Sequence, residues 1–213
     1  MAKQRSNKRR SARRPFTRKL ADDRRDALID ATIRSLKRHG HDGLAVRKIA
    51  AEAKVSSGLI NHHFPRKDAL VAEAYRRFHR QLLEGIEAAV ARAPREPRAR
   101  LHAFIEGNFA SPNLDAHVLT AWLVFWSLYR TSRPIQRAHR DTYHGYVESV
   151  RRLLSDLPRN AARRNSAAAR LSPRLAAIGL TALLDGLWLE WCLDPENFSP
   201  REATALCEAW VDR

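Results

Sequence analysis

The sequence predicts an all-α protein of about nine helices, with an N-terminal three-helix head and a larger C-terminal helical body. Three observations predict this fold. Apolar residues recur at helical spacing along most of the 213-residue chain. No alternating apolar pattern bounded by turn signals indicates a strand. Prolines stand mainly at the breaks between helical segments, where a helix tolerates them.

The first helix of the head is predicted to start near Asp22 and to stop after His39, where Gly40 and Gly43 follow. Acidic residues in its first turns favour a helix N-terminus, because the helix dipole is positive there. One face of this helix is expected to pack inward. Its members are Leu28, Ala31, Thr32, Ser35 and Leu36.

Two short helices follow, at about 46–53 and 56–63, joined by a tight turn at Lys54–Ser56. Ser56 can cap the second of them. Two short helices joined by such a turn describe a helix-turn-helix. Their apolar residues are spaced to pack on the first helix, which leaves short polar side chains on the outer side of the second.

The body begins with a long amphipathic helix near Lys67, whose inward positions Leu70, Ala74, Phe78, Leu82 and Ile86 lie about one turn apart. Later helices are predicted at about 98–110, 113–131, 135–156, 172–193 and 199–211. Residues 159–170 are expected to form an exposed link. The sequence contains no uncharged apolar run of 18 residues, so no membrane-spanning segment is predicted.

Positive charge is concentrated at the front of the chain. The net charge is +16, and residues 1–67 carry 19 basic and 6 acidic side chains, against 20 and 17 in the remainder. This asymmetry indicates a front that meets a polyanion. Residues 1–21 are expected to be a disordered basic arm, either a solubilising run or an arm that lies on DNA. Two cysteines cannot build a disulfide framework, which is compatible with the cytoplasm.

Polar residues on and beside the second short helix suit a major groove. Short uncharged side chains on its outer face can reach base edges, and basic side chains beside them can meet phosphates. The predicted DNA-binding residues are Arg47, Lys48, Ser56, Ser57, Asn61, His62, His63 and Lys67. The alternative for His62 and His63 is packing or solvent exposure. A metal site is not predicted, because adjacent residues on a helix point apart.

The head resembles the DNA-binding motif of the TetR family of bacterial repressors. The matching residues are Ile49 and Ala50, the A-x-V-S at 53–56, Gly58, the H-F at 63–64, and Lys67. Ala45, Lys54 and Asn61 depart from the residues common in that family. The resemblance implies a DNA-binding domain at 22–67, an effector-binding and dimerisation domain at 68–213, and a homodimer formed through the last two long helices.

Three aromatic segments of the body resemble the BetI-type repressors of betaine synthesis within that family. They are G-N-F at 107–109, A-W-L-V-F-W at 121–126 and A-L-L-D-G-L-W-L at 182–189. Aromatic rings beside a carboxylate can bind a quaternary ammonium. The resemblance implies that choline binds at Asn108, Phe109, Trp122, Trp126, Asp185 and Trp188. The alternatives are packing or dimerisation for the apolar residues, and an arginine or a helix end as the partner of Asp185.

These features predict a cytoplasmic, sequence-specific transcriptional repressor of choline and betaine genes. It would bind double-stranded DNA and a small quaternary ammonium. Neither a cofactor nor a metal site is predicted, and no binding to a membrane is expected. One alternative is a TetR-type regulator of another cationic or lipophilic effector. A second is a nonspecific basic protein that binds DNA or RNA. An enzyme is disfavoured, because no nucleophile triad, zinc-protease motif, P-loop or dinucleotide-binding motif occurs.

Overall fold

The structure, a computed structural model, describes residues 5–158 and 168–212, and this part of the chain is helical without a strand. The helices are α1 Arg5–His39, α2 Val46–Ala53, α3 Ser57–His63, α4 Lys67–Arg92, α5 Pro97–Asn108, α6 Ala116–Tyr129, α7 Arg133–Asp156, α8 Pro173–Leu193 and α9 Pro200–Asp212. Short 3-10 turns lie at Gly40–Leu44 and Ala168–Arg170. The predicted all-α architecture is confirmed.

Local signals explain where the body helices begin. The Asp115 carboxylate accepts a hydrogen bond from the backbone N–H of His117 at the start of α6. Ser132 and Ser172 accept the corresponding bonds at α7 and α8, and each of these two helices has a proline in its first turn. Such caps satisfy backbone donors that have no partner inside the helix.

Helix α1 begins at Arg5, earlier than the start predicted near Asp22. From Arg5 to 21, the segment expected to be a disordered arm is therefore the first part of this helix, while residues 1–4 lie outside the described residues. The segment contains six arginines and two lysines, which are residue types with high helix propensity.

The predicted inward face of α1 is confirmed, because Leu28, Ala31, Thr32, Ser35 and Leu36 are all buried. The Ser35 hydroxyl donates a hydrogen bond to the Gly43 carbonyl at 3.0 Å, which fastens the 3-10 turn to α1. A β-carbon on Gly43 would lie 2.3 Å from the Ser35 carbonyl oxygen, so only glycine allows this approach.

Lys54 closes α2 in the left-handed conformation, with φ 55° and ψ 43°. Ala45 starts α2 without a side-chain cap. Ser56 occupies the N-cap position of α3, as expected, but its side chain makes no capping hydrogen bond. The prediction that Ser56 caps α3 is therefore correct in position and wrong in its hydrogen bond.

The buried side chains form two clusters. The head-side core joins α1, α2 and α3 to the first half of α4, to α6 and to the start of α7. The body core joins the second half of α4 to α5, α7, α8 and α9. Trp188 packs against both. The core therefore continues past residue 67, where the sequence predicts a domain boundary. Of the expected link at 159–170, residues 159–167 lie outside the described residues.

Helix α8 is long and apolar enough to cross a membrane by length and composition alone. It nevertheless packs against α5, α6, α7 and α9, and it carries Asp185 and Glu190. We interpret α8 as a helix of the body with one face buried in the core.

Candidate functional site

A cavity of about 340 Å³ lies between α4, α6, α7 and α8, beside the end of α5. It falls within the size range of small-molecule sites. Its walls are predominantly aromatic. The lining residues are Tyr75, His79, Leu82, Leu83, Ile86, Asn108, Asn113, Trp122, Trp126, His139, Tyr143, Tyr146, Leu184, Asp185 and Trp188. We call this cavity the aromatic cage.

Five of the six residues predicted to bind an effector line the aromatic cage: Asn108, Trp122, Trp126, Asp185 and Trp188. Phe109 does not. It is 4% exposed and packs in the body core, because the end of α5 turns its side chain inward. The structure thus brings five of these side chains together and places Phe109 elsewhere.

The sequence did not predict the five aromatic cage residues on α4 and α7: Tyr75, His79, His139, Tyr143 and Tyr146. His139 is half-buried and packs on the rings of Tyr75 and Tyr143. The sequence contains a signal for the three residues on α7. The three α7 residues are spaced i, i+4 and i+7, which puts them on one helical face.

The aromatic rings support one another. The Trp122 ring lies edge-on to Tyr75 at 5.4 Å and stacks with Trp126 at 5.7 Å between centroids. His139 stacks with Tyr143 at 4.9 Å. Such contacts add rigidity as well as buried area. The rings of the cage are therefore held in place before any ligand arrives.

Hydrogen bonds fix the polar atoms of these rings. Tyr75 Oη is hydrogen-bonded to His139 Nδ1 at 2.9 Å, and the Tyr146 hydroxyl donates to Asn108 Oδ1 at 2.8 Å. Trp188 Nε1 donates to the Asn113 carbonyl at 3.0 Å. Because these groups are already paired, the cage offers a ligand mostly ring faces.

Asp185 is the single carboxylate among the cage residues, and no lysine or arginine lines this cavity. The Asp185 residue is exposed by accessible surface area, yet protein atoms crowd its carboxylate on several sides and displace much of the surrounding water. Burial raises the pKa of Asp185 to about 6, while the hydrogen bond from Tyr143 lowers it. Burial lowers the pKa of His79 to about 4 and lowers that of His139 too. Near neutral pH, the cage therefore carries one negative charge.

The arrangement suits a compact monocation. The faces of tryptophan and tyrosine rings attract a cation electrostatically, by about 2 kcal/mol or more where water is excluded. The Asp185 carboxylate supplies the opposite charge, and a desolvated carboxylate without a countercharge is costly until a cation arrives. The cage can therefore bind a positively charged ligand that has little hydrogen-bonding capacity.

Helix α3 presents a polar outer face. Ser56, Ser57, Asn61 and His62 are exposed, and His63 is half-buried. On the inner side, Ile60 and Phe64 are 1% and 3% exposed and pack in the head-side core. A short helix anchored in this way can lie in a major groove with its small polar side chains facing the bases.

The basic residues near α3 differ in their local pairing. Arg47 and Lys67 are exposed and make no ion pair within the described residues. Lys48 Nζ lies 3.7 Å from Asp42 Oδ2. No group of three or more histidine, cysteine, aspartate or glutamate side chains in residues 5–158 and 168–212 is arranged to hold a metal.

Two family models match the chain. The model for bacterial regulatory proteins of the tetR family matches residues 28–74, and the model for the C-terminal domain of BetI-type transcriptional repressors matches residues 97–213. The HTH-type transcriptional regulator BetI of Burkholderia mallei is 35% identical over 194 residues, covering 91% of this chain and 94% of its own length. The BetI of Paraburkholderia phytofirmans is 33% identical with the same coverage.

Solved structures of other transcriptional regulators share the fold of this chain. A transcriptional regulator from Pseudomonas aeruginosa PAO1 is 44% identical, with a TM-score of 0.77 over 90% of this chain and 89% of its own. A regulator from Saccharomonospora viridis, solved in complex with choline, shares the fold at 20% identity, with a TM-score of 0.74 over 90% and 97% of the two chains. The chain therefore belongs to the TetR family of bacterial transcriptional regulators, with a BetI-type C-terminal domain, and is a regulator rather than an enzyme.

Proposed function

We propose that the protein represses genes of choline and betaine metabolism and that choline, or a closely related quaternary ammonium, releases it from DNA. The observation that carries this proposal is Asp185, a lone carboxylate in an aromatic cavity whose wall contains no lysine or arginine. A quaternary ammonium has a permanent charge and no N–H donors. It therefore matches a site built from ring faces and one anion.

The relatives support the same effector class. The curated relatives above are named BetI, and the Saccharomonospora viridis regulator was solved with choline. Those names and that ligand belong to those proteins. The aromatic cage is the feature of this chain that makes the same chemistry a reasonable proposal here.

For the DNA operator, we propose that Ser57, Asn61 and His62 of α3 contact base edges, with Ser56 and His63 at the ends of the helix. Arg47, Lys48 and Lys67 would contact the flanking phosphates. Base contacts select the sequence, whereas phosphate contacts position the protein and supply affinity that falls with salt. Lys48 would have to leave Asp42 to reach a phosphate.

We propose a homodimer formed by α8 and α9. Four large apolar side chains on these helices are more exposed than is usual for core helices: Leu175 at 43%, Ile178 at 42%, Leu193 at 63% and Leu206 at 51%. Large apolar side chains exposed on these two helices support an interface there, because such surface is costly to leave in water. A two-fold dimer would place two copies of α3 in successive major grooves, roughly 34–36 Å apart.

Helix α6 is suited to couple the cage to the head. Trp122 and Trp126 face the cage, while the same helix packs on α1 and on the 3-10 turn after it. At its start, His117 Nδ1 donates to the Lys37 carbonyl at 3.2 Å. A ligand that favours one position of α6 would move the head. The effect is limited to its differential affinity for the two states, typically about 1–3 kcal/mol.

The test uses the full chain and a labelled fragment of its own promoter in fluorescence anisotropy, with random DNA as the reference. We expect tight promoter binding that choline reverses. The Asp185→Asn variant should keep DNA binding and lose release by choline. Glu190→Gln, on the same helix but outside the cage, is the matched control and should respond like the wild-type protein.

Other outcomes would favour the alternatives. Release by hydrophobic cationic dyes, but not by choline, would indicate a regulator of another cationic or lipophilic effector. Equal affinity for the promoter and random DNA would indicate nonspecific binding by charge and would overturn the repressor proposal.

A further inference from the structure

A second and larger cavity lies next to the aromatic cage. It has a volume of about 820 Å³ and runs between α4, α7 and the start of α5. The two cavities share His79, Leu83, Ile86 and Tyr146 as wall residues. We call this second cavity the arginine groove. Only the side chains of these four shared residues separate it from the aromatic cage.

Four arginines from three helices line the arginine groove: Arg76 and Arg80 on α4, Arg100 on α5 and Arg152 on α7. Arg76 is already paired, with its nitrogens 3.4 Å from Glu73 and 3.1 Å from Asp141.

Within the described part of the chain, Arg80, Arg100 and Arg152 make no ion pair, and Arg152 donates only to Ser149 Oγ at 3.2 Å. These three guanidinium groups therefore line one groove without an ion pair, although the charge of Arg152 also acts on Glu148, whose hydrogen bonds come from Arg151. Glu87 and Asp156 also line the groove, but within the described residues they form no ion pair with these arginines. The groove thus carries excess positive charge directly beside a cavity that carries one negative charge.

Guanidinium groups bind phosphate and carboxylate oxygens through paired N–H donors, which makes such clusters suitable for an oxyanion. A simple cation would use Asp185 alone and would meet an unfavourable positive field from the groove. A ligand with both charges would complement both cavities.

Resting on the proposed function, we propose that the preferred effector is a zwitterion, a quaternary ammonium whose chain also carries a phosphate or carboxylate. Its ammonium group lies in the aromatic cage against Asp185, and its anionic group lies in the groove against Arg80, Arg100 and Arg152. Leu83 is the half-buried member of the shared wall. Its side chain rotates to let the linker of the ligand pass.

The experiment is titration calorimetry of the full chain at pH 8 with choline and with phosphocholine. Charge-assisted hydrogen bonds to the phosphate should make phosphocholine bind at least about tenfold more tightly than choline. The double variant Arg100→Gln/Arg152→Gln should lose this advantage. Its affinity for choline should stay the same or rise slightly, because two nearby positive charges are gone.

The matched control is Arg133→Gln, which changes an exposed arginine at the start of α7 outside both cavities and should preserve the phosphocholine advantage. Wild-type protein that binds phosphocholine no more tightly than choline overturns the inference and leaves the proposed function standing. A double variant that still binds phosphocholine more tightly than choline to the wild-type extent also overturns the inference.

A further arm titrates choline in the presence of inorganic phosphate. An equal gain in affinity from phosphate in solution would show a separate anion site and overturn the single-ligand proposal. Failure of both choline and phosphocholine to bind would overturn the proposed function itself.

Discussion

The Tyr143 hydroxyl donates a hydrogen bond to Asp185 Oδ2 at 3.2 Å and so joins α7 to α8 across the aromatic cage. This bond lowers the pKa of Asp185, but the larger effect of burial leaves it at about 6, well above the usual value for aspartate. The tyrosine satisfies one oxygen without neutralising the charge. Ligand affinity, pH response and stability are therefore linked through this one carboxyl group.

Choline binding should weaken in mildly acidic solution. The cation binds the ionised form of Asp185, whose pKa without ligand is about 6. Affinity should be constant above about pH 7 and fall by about tenfold between pH 8 and pH 5, since each pKa unit corresponds to a tenfold change in protonation. His79 stays neutral over this range, because burial lowers its pKa to about 4, and burial also lowers the pKa of His139. Calorimetry across this range would measure the midpoint, and a flat profile would contradict the prediction.

The Tyr143→Phe variant should shift that midpoint upward. Removing the hydroxyl deletes a hydrogen bond that stabilises the ionised carboxylate, so the pKa of Asp185 rises further. Choline affinity should then begin to fall at a higher pH than in the wild-type protein. Tyr129→Phe is the control, because Tyr129 contacts the His139 ring but lies outside the cage wall. A parallel shift in both variants would argue against a specific role of Tyr143.

The Asp185→Asn variant should be more thermally stable than the wild-type protein without ligand at pH 8. The pKa of Asp185 is raised on folding, so its ionised form destabilises the native state. This cost is absent below the ordinary carboxyl pKa, grows as the pH rises toward about 6, and is complete above it. The difference between the melting temperatures of the two proteins should therefore be large at pH 8 and disappear at about pH 3, below the ordinary carboxyl pKa. A lower melting temperature for the variant at pH 8 would refute the assignment.

The sequence predicted the helices well, because heptad-like spacing, prolines and capping residues are local signals. It placed Asp185, Trp122 and Trp188 in one site only through resemblance to a family. The sequence did not predict Tyr75 on α4 and His139 on α7 as cage residues. These two residues are 64 positions apart in sequence and are joined by a hydrogen bond between the two helices.

Such pairings depend on how the helices pack, and no local pattern encodes them. Phe109 shows that a local pattern can also predict a site residue wrongly. It belongs to the same short aromatic segment as Asn108, yet the end of α5 sends it into the body core while Asn108 reaches the cage. Adjacent residues at a helix end point in different directions, so a shared segment does not imply a shared site.

In the head, Asn61→Ala and His62→Ala should reduce discrimination between the promoter and random DNA more than they reduce affinity for random DNA. Both side chains are exposed on the outer face of α3, where we propose that base contacts form. Lys67→Gln should instead weaken binding to all DNA and reduce the salt slope of log affinity by about 1. Anisotropy titrations at several salt concentrations distinguish the two effects. Uniform loss in the α3 variants would indicate phosphate contacts.

Lys54→Gly should stabilise the head. Lys54 holds φ at 55° and ψ at 43°, a left-handed conformation that costs a residue with a β-carbon about 1 kcal/mol and glycine very little. Its side chain is exposed and makes no ion pair within residues 5–158 and 168–212, so its removal loses little. Urea denaturation should show a gain of about 1 kcal/mol in the free energy of unfolding. Lys54→Ala removes the same side chain but keeps the β-carbon, so it should give no comparable gain. An equal gain in both variants would mean that the lysine charge, rather than the backbone conformation, is the source of the effect.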